Sequence, residues 1–439
     1  MDRRFLSQKI KNSLSIDDIL YWTAAIVLGG VAVLYAQFFM MAEHFAIRML
    51  KEHGWYFGAA VPVLFALSWW IVYKFAPEAG GSGIPQVMCA LQCEEEKNFP
   101  SKAKALVKIR TAVVKIVASL VGVFGGAAVG REGPTIQIGA ALFFRVRDLA
   151  MKISGKTFGA DVWMITGSAA GVAAAFNTPL GGLVFAIEEL AKSHFNRFKS
   201  SLLVAVILAG LSSQLFQGSY LYFGVPKVNP FDFQLLPWVI LIGVLCGSLA
   251  TLFGEVLFKF STLRSKIKSV PKNVMISCLG GIAVVGLAMY VHPMAFGGGK
   301  EAITSLLFGG TDEAPWHLAL IRFASPLISY LSVGAGGIFA PSLAAGGTIG
   351  SLFSSFVLPH NHNLVVLLGM IAFLTGVTRA PFTSFVLVLE MTDRHQAIFP
   401  MMLVAVIAQA VSHLINPVSF YERVTETWHH KVSPHPLPQ

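Results

Sequence analysis

Charge is what this chain is short of. Of its 439 residues only 13% are Asp, Glu, Lys or Arg, against about 25% in ordinary soluble domains. Hydrophobic residues make up 55%. That balance excludes a water-facing surface over a chain of this length; apolar surface all the way round calls for lipid as the solvent. Cysteine is also scarce, with Cys89, Cys93, Cys246 and Cys278. Cys89 and Cys93 lie four apart, on one face of a helix, but no histidine or second pair stands near them. That argues against a zinc site and for reduced structural thiols. A cleavable signal is missing, because charges run to Asp18 and the apolar run behind them outlasts an h-region. Long polar stretches are missing too. The longest, 92–104 and the tail after 417, leave almost nothing for a soluble domain. The tail, with His429, His430 and His435, reads as a frayed end rather than a metal site.

The net charge is +10, and the basic residues are dispersed. They sit in the N-terminal segment (Arg3, Arg4, Lys9, Lys11) and in short loops (Lys97, Lys102, Lys104; Arg264, Lys266, Lys268, Lys272). This is the pattern of loop charges that set topology, with a cytoplasmic N-terminus, rather than a nucleic-acid surface.

Apolar stretches recur from residue 19 to 416, and several reach the ~20 residues needed to cross a bilayer. Those at 135–149, 179–192, 363–378 and 381–391 are short and bounded by Gly or Pro, as discontinuous transporter helices are. An internal repeat runs through them. The segment GSAAGVAAAFNTPLGGLVFAIEEL (167–190) matches GMIAFLTGVTRAPFTSFVLVLEMT (369–392), pairing Pro179 with Pro381 and Glu188 with Glu390. GREGP (130–134) pairs with GIFAP (337–341), and the glycines before Ile84 with Gly297, Gly298 and Gly299. The offsets drift from 214 through 207 to 202. Two related halves in one membrane domain place a site at their interface.

Three Gly-rich segments open apolar helices: GGSGIP (80–85), GREGP and GGIFAP (336–341). Helix N-termini present unpaired N–H groups and the positive end of the dipole. Three aimed at one point bind a small anion without a full positive charge, which would hold it too tightly to release. Glu132 lies in GREGP, within the apolar run from Val121 to Phe144. An ionisable group at that depth is a functional candidate. Its carboxylate is itself an anion beside a helix N-terminus, able to occupy the anion site when charged and leave it when protonated. The bland alternative is pairing with Arg131. Glu188 and Glu189 end the helix LVFAIEEL, either as an interfacial cap or as a proton relay offset from the anion path. Ser82 offers a hydroxyl suited to a halide, and so does Tyr421 in NPVSFYERV.

These segments together resemble the CLC chloride channel and transporter family over nearly the whole chain and in the family's order. The resemblance implies an all-α polytopic fold of two inverted repeats of tilted and discontinuous helices, and a homodimer with a separate anion path in each subunit. It divides the single transmembrane domain 1–439 into a cytoplasmic segment 1–17, a first repeat of about 18–222, a second of about 233–416 and a tail 417–439, with no CBS domains. By the same resemblance Ser82, the amides of Ile338 and Phe339, and Tyr421 bind chloride. Gly81, Gly83, Gly130, Arg131, Gly133 and Gly337 support the site. Glu132 gates it, Glu189 relays protons from inside, and Lys115 acts only through its field. Gln86 and Met88 stand where related bacterial exchangers often carry acids, and the size is that of members of the bacterial inner membrane.

The expected activity is therefore exchange of chloride for protons, with bound chloride but no metal or organic cofactor and no nucleic-acid partner. A passive chloride channel of the same fold is the nearest alternative. A remote one is an intramembrane serine protease, since Gly80-Gly81-Ser82-Gly83 matches a short nucleophile pattern; it would need His413 as the base.

Overall fold

The structure, a computed structural model, describes residues 16–95, 99–155, 159–191, 199–218, 221–309, 315–357 and 361–433. The basic residues of the N-terminal segment, Lys97 and His435 lie outside these. Among the described residues there are helices and two isolated backbone bridges, but no strand.

The first half holds α1 (Ile16–Phe75), α2 (Ile84–Glu95), a short α3 (Ser101–Ala105), α4 (Ile109–Phe124), α5 (Glu132–Ser154), α6 (Ala160–Phe176), α7 (Pro179–Phe185) and α8 (Lys199–Gln217). The second holds α9 (Leu236–Ser265), α10 (Val270–Tyr290), α11 (Lys300–Phe308), α12 (Trp316–Ser332), α13 (Phe339–Val357), α14 (His362–Thr378), α15 (Pro381–Thr392) and α16 (Ile398–Ile415); α17 (Phe420–Val432) follows. At Gly54 (φ 43°, ψ −112°) α1 breaks into two rods. With those rods counted separately and α3 set aside, the halves match helix for helix.

Segments of α1, α9, α10 and α16 are long and apolar enough to cross a membrane, while α6, α14 and α15 are apolar but shorter. Large apolar side chains such as Leu34, Met41, Val63, Leu252, Met275 and Ile282 face outward, and polar ones such as Ser277, Arg322 and Ser329 are buried. This inversion of the soluble pattern suits a lipid surround. One expectation fails in detail. The stretch 135–149 is not short, because α5 runs for 23 residues; Pro134 stands in its first turn, where the missing N–H costs nothing. The stretch 179–192 is interrupted as expected, α7 passing at Ala186 into a single wide π turn.

Equivalent crossings hold the halves. A Cβ at Gly139 would overlap the Gly167 carbonyl, and one at Gly346 the Gly369 carbonyl. Helices α5 and α6, and likewise α13 and α14, therefore touch backbone to backbone, as small residues permit in membranes. The inversion of the repeats is visible where α7 meets α15. Glu188 accepts from the N–H groups of Phe382 (3.1 Å) and Thr383 (2.7 Å) and from Thr383 Oγ1 (2.7 Å). Glu390 accepts from Leu180 N–H (3.1 Å) and Gly181 N–H (2.8 Å). Each helix ends in the carboxylate that caps the other's start, so the two equivalent helices lie antiparallel.

The tail is not frayed over its described part. Ser419 and Glu422 form a reciprocal capping box that opens α17, and the helix packs on α2 with Tyr421, Thr425 and His429 buried.

Candidate functional site

The three Gly-rich segments are stitched together by backbone hydrogen bonds. Gly81 N–H donates to Gly334 O (3.0 Å) and Gly336 N–H to Gly81 O (3.2 Å); Gly130 and Gly337 exchange a pair of 2.7 Å bonds. The starts of α2, α5 and α13 thereby converge. Close approach explains the glycines. Gly83 has φ 112°, a region L side chains rarely adopt, and a Cβ at Gly133 would overlap Ser82 Oγ.

Two buried cations clamp equivalent loops of the two halves. Lys115, from α4, donates to Gly81 O at 2.8 Å, so it does more than supply a field. Arg322, its equivalent 207 positions on, reaches from α12 to Met294 O (2.8 Å) and Gly297 O (3.0 Å). Gln86 braces the same Gly-rich loop as Lys115, from within α2. It is buried, takes Gly83 N–H at 3.1 Å and donates to Gly80 O.

At the point of convergence stand Ser82, Glu132, Ile338, Phe339 and Tyr421, each less than 4% exposed. Ser82 Oγ and Tyr421 Oη face each other closely enough to interact but not at normal hydrogen-bond length, and neither has another partner. Buried hydroxyls without partners are rare, and each calls for an explanation such as a missing ligand. Phe339 opens α13, where N–H groups have no intrahelical acceptor. Glu132 Oε2 lies 3.4 Å from Ala340 N, so the carboxylate sits against that same helix start. Arg131 is turned to Ala175 O (3.2 Å) and to the ring of Tyr222 (5.7 Å).

The π turn separates the roles of the two neighbouring acids. Glu188 is the cap described above. Glu189, 5% exposed, turns inward and, like Glu132, lies within electrostatic reach of Tyr421. His413 is exposed while Ser82 is buried, which removes the base that the protease reading needs. Cys89, Cys93 and Cys246 are buried, and among the described residues no cluster of His, Cys, Asp or Glu is disposed to hold a metal.

One neighbour of the site was not read from the sequence. Glu43 of α1 shares a cavity with Glu132, Arg131 and Lys300. It follows the apolar run 19–41 by two residues, where a lone acid reads as the start of a loop.

Converging helix starts, buried hydroxyls and a mobile-charge candidate at the interface of two inverted repeats define an anion-handling membrane protein. A profile of the family described as voltage gated chloride channel matches residues 64–413, and the chain belongs to that family. The H(+)/Cl(-) exchange transporter ClcA of Citrobacter koseri is 30% identical over 443 residues, covering 96% of this chain and 90% of that protein. Among solved structures, a slow cyanobacterial Cl−/H+ antiporter superposes with a TM-score of 0.82 at 23% identity, covering 95% of this chain and 99% of the other. A CLC-type fluoride/proton antiporter superposes at 0.76 and 18% identity, covering 93% and 97%.

Proposed function

We propose that this chain is a secondary active transporter that exchanges chloride for protons. The observation that carries the reading is the pair of buried, unpartnered hydroxyls of Ser82 and Tyr421 beside the first amides of α13, with Glu132 against the same helix start. Chloride takes single hydrogen bonds from the hydroxyls and from the amides of Ile338 and Phe339 without meeting a full positive charge. Charged Glu132 competes with it for the helix start. Protonated, the side chain loses that attraction and yields the place to the anion. Glu189 supplies protons from the opposite side, with Tyr421 within electrostatic reach of both carboxylates, so the two ions share the gate and part below it. Kinship with the ClcA exchanger supports the choice of substrates. The protein works in a bacterial plasma membrane as a homodimer with one path per subunit.

The test is proton movement into proteoliposomes under an imposed chloride gradient, with the voltage set at the proton equilibrium potential by valinomycin and potassium. Uphill proton movement is the expected result. Chloride flux with no proton movement would overturn exchange in favour of passive conduction.

A further inference from the structure

We propose that Glu43 is the outer proton acceptor for Glu132, passing protons between the gate and the solution on the far side of the membrane. The proposal rests on the exchange reading above and adds a residue and a route to it. Glu43 stands 27 residues beyond Ile16 on the first rod of α1, about 40 Å along the helix, so it lies near the face opposite the N-terminus. One cavity, of ≈ 20 Å³, touches Glu43, Glu132, Arg131, Gly298 and Lys300. A second, also ≈ 20 Å³, touches Glu43, Lys300, Glu301 and Arg322. Each has room for about one water, enough to hand on a proton and too little for a hydrated anion. Past the second cavity the exposed pair His44–Glu301 (3.3 Å) marks the surface.

Glu43 is built into this position. Gly298 N–H donates to its carboxylate, and Gly298 is in the loop that Arg322 clamps. The charged groups facing it are Arg131 at the start of α5, Lys300 and Glu301 on α11, Arg322 on α12, and Glu132 across the first cavity. On its own rod only His44 and Arg48 are adjacent, and both are exposed. The protonated Glu132 carboxyl gives its proton to the intervening water as that water gives one to Glu43. Glu43 releases it outward through the second cavity. The cations around Glu43 balance its charge between transfers.

The experiment uses the full chain in proteoliposomes, with proton and chloride fluxes recorded separately. Glu43→Gln should slow coupled exchange about tenfold and flatten its dependence on outer pH. That is less than the 10²–10⁴ a proton-transfer group contributes to chemistry, because the water sites remain. Combined with Glu132→Gln, where only uncoupled chloride flux remains, Glu43→Gln should leave that chloride flux unaltered, a non-additivity that a merely structural role would not give. Glu43→Asp should recover at least half of the wild-type rate. Wild-type kinetics in Glu43→Gln would overturn the proposal. So would a tenfold loss of chloride flux on adding Glu43→Gln to Glu132→Gln, which would assign Glu43 to charge balance along the anion path. If Glu43→Gln does not assemble, Glu43→Asp decides alone: slower coupled exchange with an altered outer-pH profile supports the proposal, and an unaltered rate and profile overturns it. Failure of the exchange reading itself shows in the wild-type sample, before any variant is made.

Discussion

Laid over one another, the two halves of this molecule agree at some positions and part at others. Lys115 and Arg322, Pro134 and Pro341, and Glu188 and Glu390 are equivalent pairs with equivalent work: clamping a Gly-rich loop, opening a helix, capping the partner helix. At the same offsets Glu132 faces Phe339, Glu189 faces Met391 and Ser82 faces Phe296. Where the halves agree the residues build the scaffold. Where they part, one half contributes an ionisable or polar side chain and the other a backbone or an apolar filler. A symmetric pore would treat both directions and both ions alike; under the proposed exchange, the broken pairs are what would let a proton and an anion be handled differently.

The comparison can be broken first at Glu132. Replacing it with Gln should reduce proton movement to background while chloride flux persists without pH dependence; a retained pH profile in flux assays would contradict the assignment. Next comes Glu189→Gln, expected to stop uphill proton movement and leave chloride movement. Its neighbour sharpens the contrast, since Glu188→Gln should keep proton pumping. Ser82→Pro should shift preference from chloride towards nitrate, because a donor is lost and the loop reshaped; unaltered selectivity in competition flux assays would remove Ser82 from the site. Smaller effects belong to the matched pair. Glu188→Ala and Glu390→Ala should each cost about 1–3 kcal/mol by orphaning helix-start amides, Glu188 the more because it takes three hydrogen bonds to Glu390's two. Thermal unfolding in detergent measures both. The smallest change is Ser419→Ala, about 1 kcal/mol from the loss of the α17 cap, with Tyr421 less firmly held.

Much of the architecture was readable because the repeat is collinear and its Gly and Pro markers are local. The convergence of GSGIP, GREGP and GIFAP followed from helix-start chemistry, and Glu132 does sit against the start of α13. What escaped the sequence was long-range. Nothing local says that Lys115 reaches Gly81, 34 positions back, or that Gln86 folds onto Gly80. Glu43 becomes notable only once α1 is seen to bring it beside a loop 255 positions away. The α17 start was a different kind of miss. Ser419-x-x-Glu422 is a local signal, outweighed in the reading by the histidines and prolines around it.

The exchanged caps of α7 and α15 have a consequence for biogenesis. The amides of Leu180 and Gly181 find their acceptor only at Glu390, 210 and 209 positions later. At roughly 5–20 residues per second of synthesis, those groups wait on the order of 10–40 s in the bilayer for a partner. Until Glu390 arrives, the first half carries uncapped backbone where lipid offers no substitute. Insertion of the first repeat is therefore provisional, and the last helices of the second serve as the latch that commits the chain to its fold.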